Sequence, residues 1–279
     1  MKKVGLHLQI DDTLVSLAEK AIRLNLSYFQ CFLAQKAVSR VFKFTQDDIA
    51  AFLELRKKYF KNIYLHSSYF VNLADATRTY HPLLERELKL AQQLAFSHIL
   101  FHAGSAAGAR SKEKSIDALA RILNDLLARD HGLKIILENT AHGGNAVGSD
   151  LKDFRALLKK IERPEKLKFC IDVGHAFLFG YDVVTESGQK QFINMVDDIL
   201  GWNNVVLIHL NDTKEQIGAR IDKHWATGEG TIGDEALKRF VLHPKIINIP
   251  VLLEVPTLPE EKQKQLLEKV AGWYPEEKE

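Results

Sequence analysis

Eight short apolar runs punctuate the chain: KVGLHL (3–8), YFQCFL (28–33), NIYLHS (62–67), HILFHA (98–103), KIILEN (134–139), KFCIDV (168–173), VVLIHL (205–210) and IPVLLEV (249–255). Runs as continuously apolar as KIILE and VVLIH suit parallel strands covered on both faces, because a one-sided sheet alternates polar with apolar residues. Between the runs, TLVSLAEKAIRLNL (13–26), LLERELKLAQQLAF (83–96) and IDALARILNDLLARD (116–130) place Leu, Ile and Ala three and four residues apart, with charges on the other face. That spacing predicts amphipathic helices. From the third run to the seventh the starts lie about 35 residues apart, room for a strand, a helix and two short connections. Eight such units in 279 residues predict an α/β fold, a closed (β/α)8 TIM barrel. One domain is expected over residues 1–279, with 271–279 as an exposed C-terminal tail. HLQIDDT, which closes the first run, holds no glycine-rich phosphate loop, so a dinucleotide-binding sheet is disfavoured.

Composition narrows the class. A 46% hydrophobic and 27% charged chain can fill one large core, which argues against disorder and against a disulfide-stapled miniprotein. Lys+Arg 38 against Asp+Glu 36 leaves a net charge of +2, too near balance for a long-range field to select a polyanion. Any nucleic-acid contact must be local. The opening MKKVGLHLQIDD is broken by Gln9, Asp11 and Asp12 before a secretory or membrane segment could form, so a cytoplasmic protein without a membrane partner is expected. Cys31 and Cys170 each lie in an apolar run and read as small core residues, which excludes a structural zinc site of the cysteine type.

In a barrel of this type the carboxyl ends of the strands floor the active site. Six consecutive runs reach a metal-ligand residue there: His66, His102, Glu138, Asp172, His209 and Glu254. Polar groups at the ends of buried strands would cost roughly several kcal/mol each if unpaired. A shared divalent metal would meet that cost. His175 follows Asp172 by three residues in IDVGH and can turn back over the barrel mouth. Asp222 and His224 lie in the long connection after the seventh run, where their i, i+2 spacing lets both face one way in an extended segment. A lone histidine or acid at a strand end is more often structural; convergence from six strands is what points to a metal site. Nine ligands are too many for one ion and suggest a cluster of two or three. Imidazole and carboxylate without thiolate suit zinc, manganese or iron, and the histidine count favours zinc. Such clusters perform phosphoester hydrolysis. His81, His98, His131 and His243 fall at helix starts, strand starts or turns and are expected to be structural. His7, at the end of the first run, and His142, in a top loop, are expected beside the ligands or the substrate.

LHSSYFVNLAD, LFHAGS, ILENTAHGGNAVGSD, CIDVGHAFLFGYDV, IHLNDTKEQIGARIDKHWATGEGTIG and LLEVP resemble, in order, the motifs of the endonuclease IV family of apurinic/apyrimidinic endonucleases. The resemblance runs from about Tyr64 to Pro256. It implies a trinuclear zinc site and hydrolysis of the phosphodiester 5′ to an abasic site in double-stranded DNA during base excision repair. It also implies an attacking hydroxide shared between two ions. His66, His102 and Glu138 would hold the first ion; Glu138, the central catalytic carboxylate, would bridge to a second held by Asp172, His209 and Glu254. His175, Asp222 and His224 would hold the third. Tyr69 and Phe70 match the family's pair that enters the minor groove. Gly148, Ser149, Gly228, Glu229 and Gly230 fall where the family keeps small residues near its substrate, without assigned roles.

The first sixty residues depart from the family pattern, with QIDDT after the first run and AQKAVSRVFKF after the second. Arg40, with Lys36 and Lys43, remains a candidate phosphate contact in that second loop. Ala103 stands where the family has proline. A monomer is expected. The alternative readings are a single-metal sugar isomerase or epimerase of the related barrel type, and a non-catalytic DNA-damage binder with structural metals.

Overall fold

A computed structural model describes residues 4–35, 40–105 and 111–275. Eight parallel strands close into a barrel in chain order: β1 (Val4–Leu8), β2 (Tyr28–Cys31), β3 (Asn62–His66), β4 (His98–His102), β5 (Lys134–Glu138), β6 (Lys168–Asp172), β7 (Val205–His209) and β8 (Val251–Leu253). β1 pairs with both β2 and β8, which completes the ring. Each apolar run is therefore a strand, and the fold is the predicted TIM barrel.

Helices α1 (Leu14–Arg23), α2 (Gln46–Tyr59), α3 (His81–Gln93), α4 (Lys112–Ala128), α5 (Leu151–Leu158), α6 (Val173–Phe179), α7 (Glu186–Ile199), α8 (Asp234–Val241) and α9 (Glu260–Ala271) surround the barrel. Local chemistry sets their limits. Thr13 opens α1 with a capping box: its hydroxyl accepts from the Ser16 amide, and Ser16 Oγ accepts from the Thr13 amide. The helix then buries Leu14, Leu17, Ala18 and Ala21, the stripe anticipated from their spacing.

Inside the barrel, β2 to β8 each contribute one residue to a buried layer: Tyr28, Tyr64, Leu100, Ile136, Cys170, Leu207 and Leu252. On β1 the place is taken by Gly5, because a Cβ there would lie 2.6 Å from the Tyr28 ring. The Tyr28 hydroxyl donates to the Val251 carbonyl and accepts from the Val251 amide, spanning the barrel from the second strand to the last. Cys31 and Cys170 are buried free thiols.

The segment expected as a tail from residue 271 packs further than anticipated. Ala271, Trp273 and Tyr274 lie half-buried against the core, since two large rings recover more from apolar contact than from water. Residues 276–279 fall outside the described residues. Among the described residues, no helix is long and apolar enough to cross a membrane.

The tight seat of the Tyr28 ring gives a stability prediction. Gly5→Ala should lower unfolding free energy by about 1–3 kcal/mol through overpacking, read as a lower midpoint in urea with an unchanged slope.

Candidate metal centre

Side chains two residues apart on a strand share a face, so the positions one step above the buried layer point into the barrel mouth. Those positions are His7, Gln30, His66, His102, Glu138, Asp172, His209 and Glu254. Strand register then makes neighbours of residues far apart in sequence: His102 stands beside Glu138, and Asp172 beside His209. Glu138 Oε2 lies 3.3 Å from His102 Nε2 and 3.7 Å from His66 Nε2. Its other oxygen lies 2.9 Å from His209 Nδ1, which is 3.2 Å from Glu254 Oε2.

His175 arrives by a local route. Asp172 ends β6 and caps α6, its Oδ1 accepting from the His175 amide at 2.7 Å. The helix therefore starts with His175 folded over the mouth. There its Nε2 lies 3.1 Å from both Asp222 Oδ1 and His224 Nε2. Both partners come from the long connection after β7, so the structure brings together all nine residues singled out as ligands.

Their donor atoms form overlapping groups within 4.8 Å: His66, His102 and Glu138; His102, His175 and Asp222; Asp172, His175 and His224; Glu138, Asp172, His209 and Glu254. Burial opposes ionisation of Glu138, but His209 and His102 outweigh it and hold the carboxyl well below the usual range. Glu254 is likewise held well below, with His209 and His7 outweighing burial. Burial pushes His66 down, to about 4, which leaves a neutral imidazole able to coordinate. His66 Nε2 and Glu138 Oε2 have no hydrogen-bond partner although both are buried. Two orphaned lone-pair atoms facing one another, in a set rich in imidazole and carboxylate, fit a divalent cation.

Amide side chains support the cluster, and sequence reasoning did not single them out. Gln30 Nε2 contacts His7 Nδ1 at 3.0 Å and donates to Glu254 Oε1 at 2.5 Å, while its carbonyl oxygen meets His209 Nε2 at 3.2 Å. His7 itself reaches Glu254 at 3.2 Å. Asn139 pairs with the Asp172 backbone in both directions, and its own carbonyl lies 2.9 Å from His175 Nδ1. Asn211 donates to Asp172 Oδ2 at 2.5 Å and accepts from the Glu254 amide. A polar residue inside the apolar YFQCFL run was the available signal for Gln30. Cys170 is core, as expected, but its sulfur also borders Glu138 and His209.

Asp212 organises the loop beyond His224. Its carboxylate accepts from the amides of Thr213, Gly228, Gly230, Ile232 and Gly233. A Cβ on Gly230 would fall 2.4 Å from Asp212 Oδ1, so this glycine serves close packing of the loop. Ser149, similarly, shares a buried hydroxyl contact with Thr140.

Tyr69 and Phe70 are 60% and 47% exposed, so neither ring belongs to the core. The Tyr69 ring lies 5.5 Å from both the His66 and His102 rings. A cavity of about 380 Å³ opens there, lined by His66, Tyr69, His102, Ser105, His142 and Asn145. Arg40 and Lys43 are exposed on the β2–α2 connection, and Lys36 lies outside the described residues. His98 is buried at the start of β4, stacked on Tyr64, and His81 opens α3, where it faces Glu85. His131 and His243 lie in the turns before β5 and after α8.

Five backbone amides on one buried carboxylate make the long loop sensitive to that group. Asp212→Ala should cost about 3 kcal/mol or more and expose residues 225–233 to limited proteolysis before the barrel unfolds.

Comparison with known proteins agrees with this geometry. Residues 18–276 match the family model described as xylose isomerase-like TIM barrel. The chain is 37% identical to a protein of Halorhodospira halophila named "Probable endonuclease 4" over 203 residues, covering 70% of this chain and 68% of that protein. A Thermosipho africanus protein of the same name is 30% identical over 92% of this chain and 93% of its own length. The crystal structure of endonuclease IV from Thermus thermophilus superposes with a TM-score of 0.82 at 28% identity, covering 97% of this chain and 98% of that one. With the strand ends and the long loop converging on one cluster, the chain belongs to the endonuclease IV family of the xylose isomerase-like TIM barrels.

Proposed function

We propose that the chain is a zinc-dependent DNA repair endonuclease, hydrolysing the phosphodiester 5′ to abasic sites in double-stranded DNA, and that it acts as a cytosolic monomer. The observation carrying this reading is the set of nine converging side chains, with His66 Nε2 and Glu138 Oε2 buried without a hydrogen-bond partner. His66, His102 and Glu138 would hold one ion; Glu138, Asp172, His209 and Glu254 a second; His175, Asp222 and His224 a third. Manganese or iron would suit the same donors. When bound, the ions supply an activated water at neutral pH and neutralise charge on the departing oxygen.

The chain's own residues set the conditions. Glu138 offers one oxygen to each side of the cluster, which ties the His66 and His102 side to the His209 side. The backbone carbonyls of Ser67 and Asn139 face the Nδ1 atoms of His66 and His175, turning each Nε2 inward. Tyr69 and Phe70 stand exposed at the rim, where they can fill the gap left by an extruded abasic nucleotide. Two buried free thiols suit a reducing compartment. A single-metal isomerase would use Glu138, Asp172, His209 and Glu254, leaving His66, His102, His175, Asp222 and His224 without a role.

Metal-replete protein should nick a duplex carrying one tetrahydrofuran site on its 5′ side. Glu138→Gln should lower the rate by about 1,000-fold or more, because a neutral amide cannot serve both sides of the cluster. An intact duplex after incubation with the zinc-loaded wild type would overturn the substrate assignment. Tyr69→Ala and Phe70→Ala should each raise KM about tenfold with kcat within about threefold, as measured in steady-state incision assays. Equal loss in kcat would instead place these rings in the chemical step.

A further inference from the structure

Glu87, on α3, is a fully buried carboxylate outside the metal centre. Burial pushes its carboxyl up to about 7, opposed only by hydrogen bonds from Ser67 and Ser68. Among the described residues no cation offsets it, so its desolvation is a cost that an apolar side chain would not carry. What the carboxylate does hold is one turn of backbone. Ser67 Oγ donates to Oε2 at 2.7 Å, and the Ser68 amide donates to Oε1 at 2.9 Å. These two residues lie between His66, whose Nδ1 is 2.8 Å from the Ser67 carbonyl, and the exposed pair Tyr69 and Phe70. The turn continues from the same anchor: Ser68 Oγ accepts from the Phe70 amide and Ser68 O from the Val71 amide.

We infer that Glu87 is a positioning residue: it clamps the Ser67–Ser68 turn from the helix side and so fixes where the Tyr69–Phe70 tip meets the substrate. The clamp needs two polar atoms in a fixed fork, supplied from a rigid helix to a loop that carries two exposed rings. Ordering the tip before substrate arrives removes an entropic cost from binding. A glutamine can do the same work. Its Oε1 accepts from the Ser68 amide while its Nε2 donates to a rotated Ser67 hydroxyl. A leucine of similar size leaves both donors unsatisfied.

The binding consequence rests on the abasic-site reading, whereas loop order does not, so two readouts are needed. In Glu87→Leu, amide hydrogen exchange across residues 67–72 should accelerate by about tenfold or more, with α9 unchanged. Its KM for the tetrahydrofuran duplex should rise by about tenfold, with kcat within about threefold and metal content unaltered. Glu87→Gln should restore both readouts. Should the leucine variant not fold, Ser67→Ala removes one arm of the clamp and should accelerate exchange in the same segment by about threefold. Unchanged exchange across 67–72 in these variants, or a KM defect that glutamine does not rescue, would overturn the assignment. A wild type inert on the abasic duplex would sink the substrate reading, while the exchange result would still decide the role of Glu87.

Discussion

Four carboxylates and five imidazoles crowd one end of the barrel, and desolvating that many polar groups would cost roughly several kcal/mol apiece if they stayed unpaired. Glu138, Asp172, His175 and His209 are fully buried. Part of the cost is met within the protein, by Gln30, Asn139 and Asn211 reaching the cluster and by imidazoles beside carboxylates. The remainder is visible as His66 Nε2 and Glu138 Oε2, buried 3.7 Å apart and neither with a hydrogen-bond partner. The barrel's apolar layer lies directly below, so water from that side cannot relieve them. Under the proposed function, cations shared among the same donors would complete the balance, and the charge they bring would supply the phosphodiester chemistry.

Rigid and adaptable parts are divided accordingly. His66, His102, Glu138, Asp172 and His209 end strands whose register is fixed by neighbours on both sides. Three segments beyond the strand ends are each anchored by a buried acid. Asp212 gathers the segment after His224, Glu87 holds the turn before Tyr69, and Asp172 caps the helix that presents His175. Placing a desolvated acceptor under clustered backbone donors lets an irregular segment keep one shape without regular secondary structure.

The sequence makes the strands and the ligand set legible for one reason: parallel strands covered on both faces read as apolar runs, so a histidine or acid at the end of one stands out. The three anticipated helices, 13–26, 83–96 and 116–130, contain α1, most of α3 and most of α4. Less visible are residues whose chemistry is ordinary and whose placement is the information. Gln30 belongs to the same inward face as His7, but β2 does not end on a charged residue, so one polar position inside an apolar run is all that marks that strand. Asn139 and Asn211 follow ligands by one and two residues, where an amide reads as loop composition until its partners are known. Glu87 shares a helix with the half-exposed Glu85, and spacing alone does not distinguish a buried carboxylate from a solvated one. The tail expected from 271 begins later because the rings of Trp273 and Tyr274 pack back on the core.

Anomalous diffraction at the zinc edge, on crystals of the metal-replete protein, tests the central claim most directly. Three separate peaks among His66, Glu138, His175, Glu254 and their neighbours are the predicted result. One peak confined to Glu138, Asp172, His209 and Glu254, or none, would contradict it.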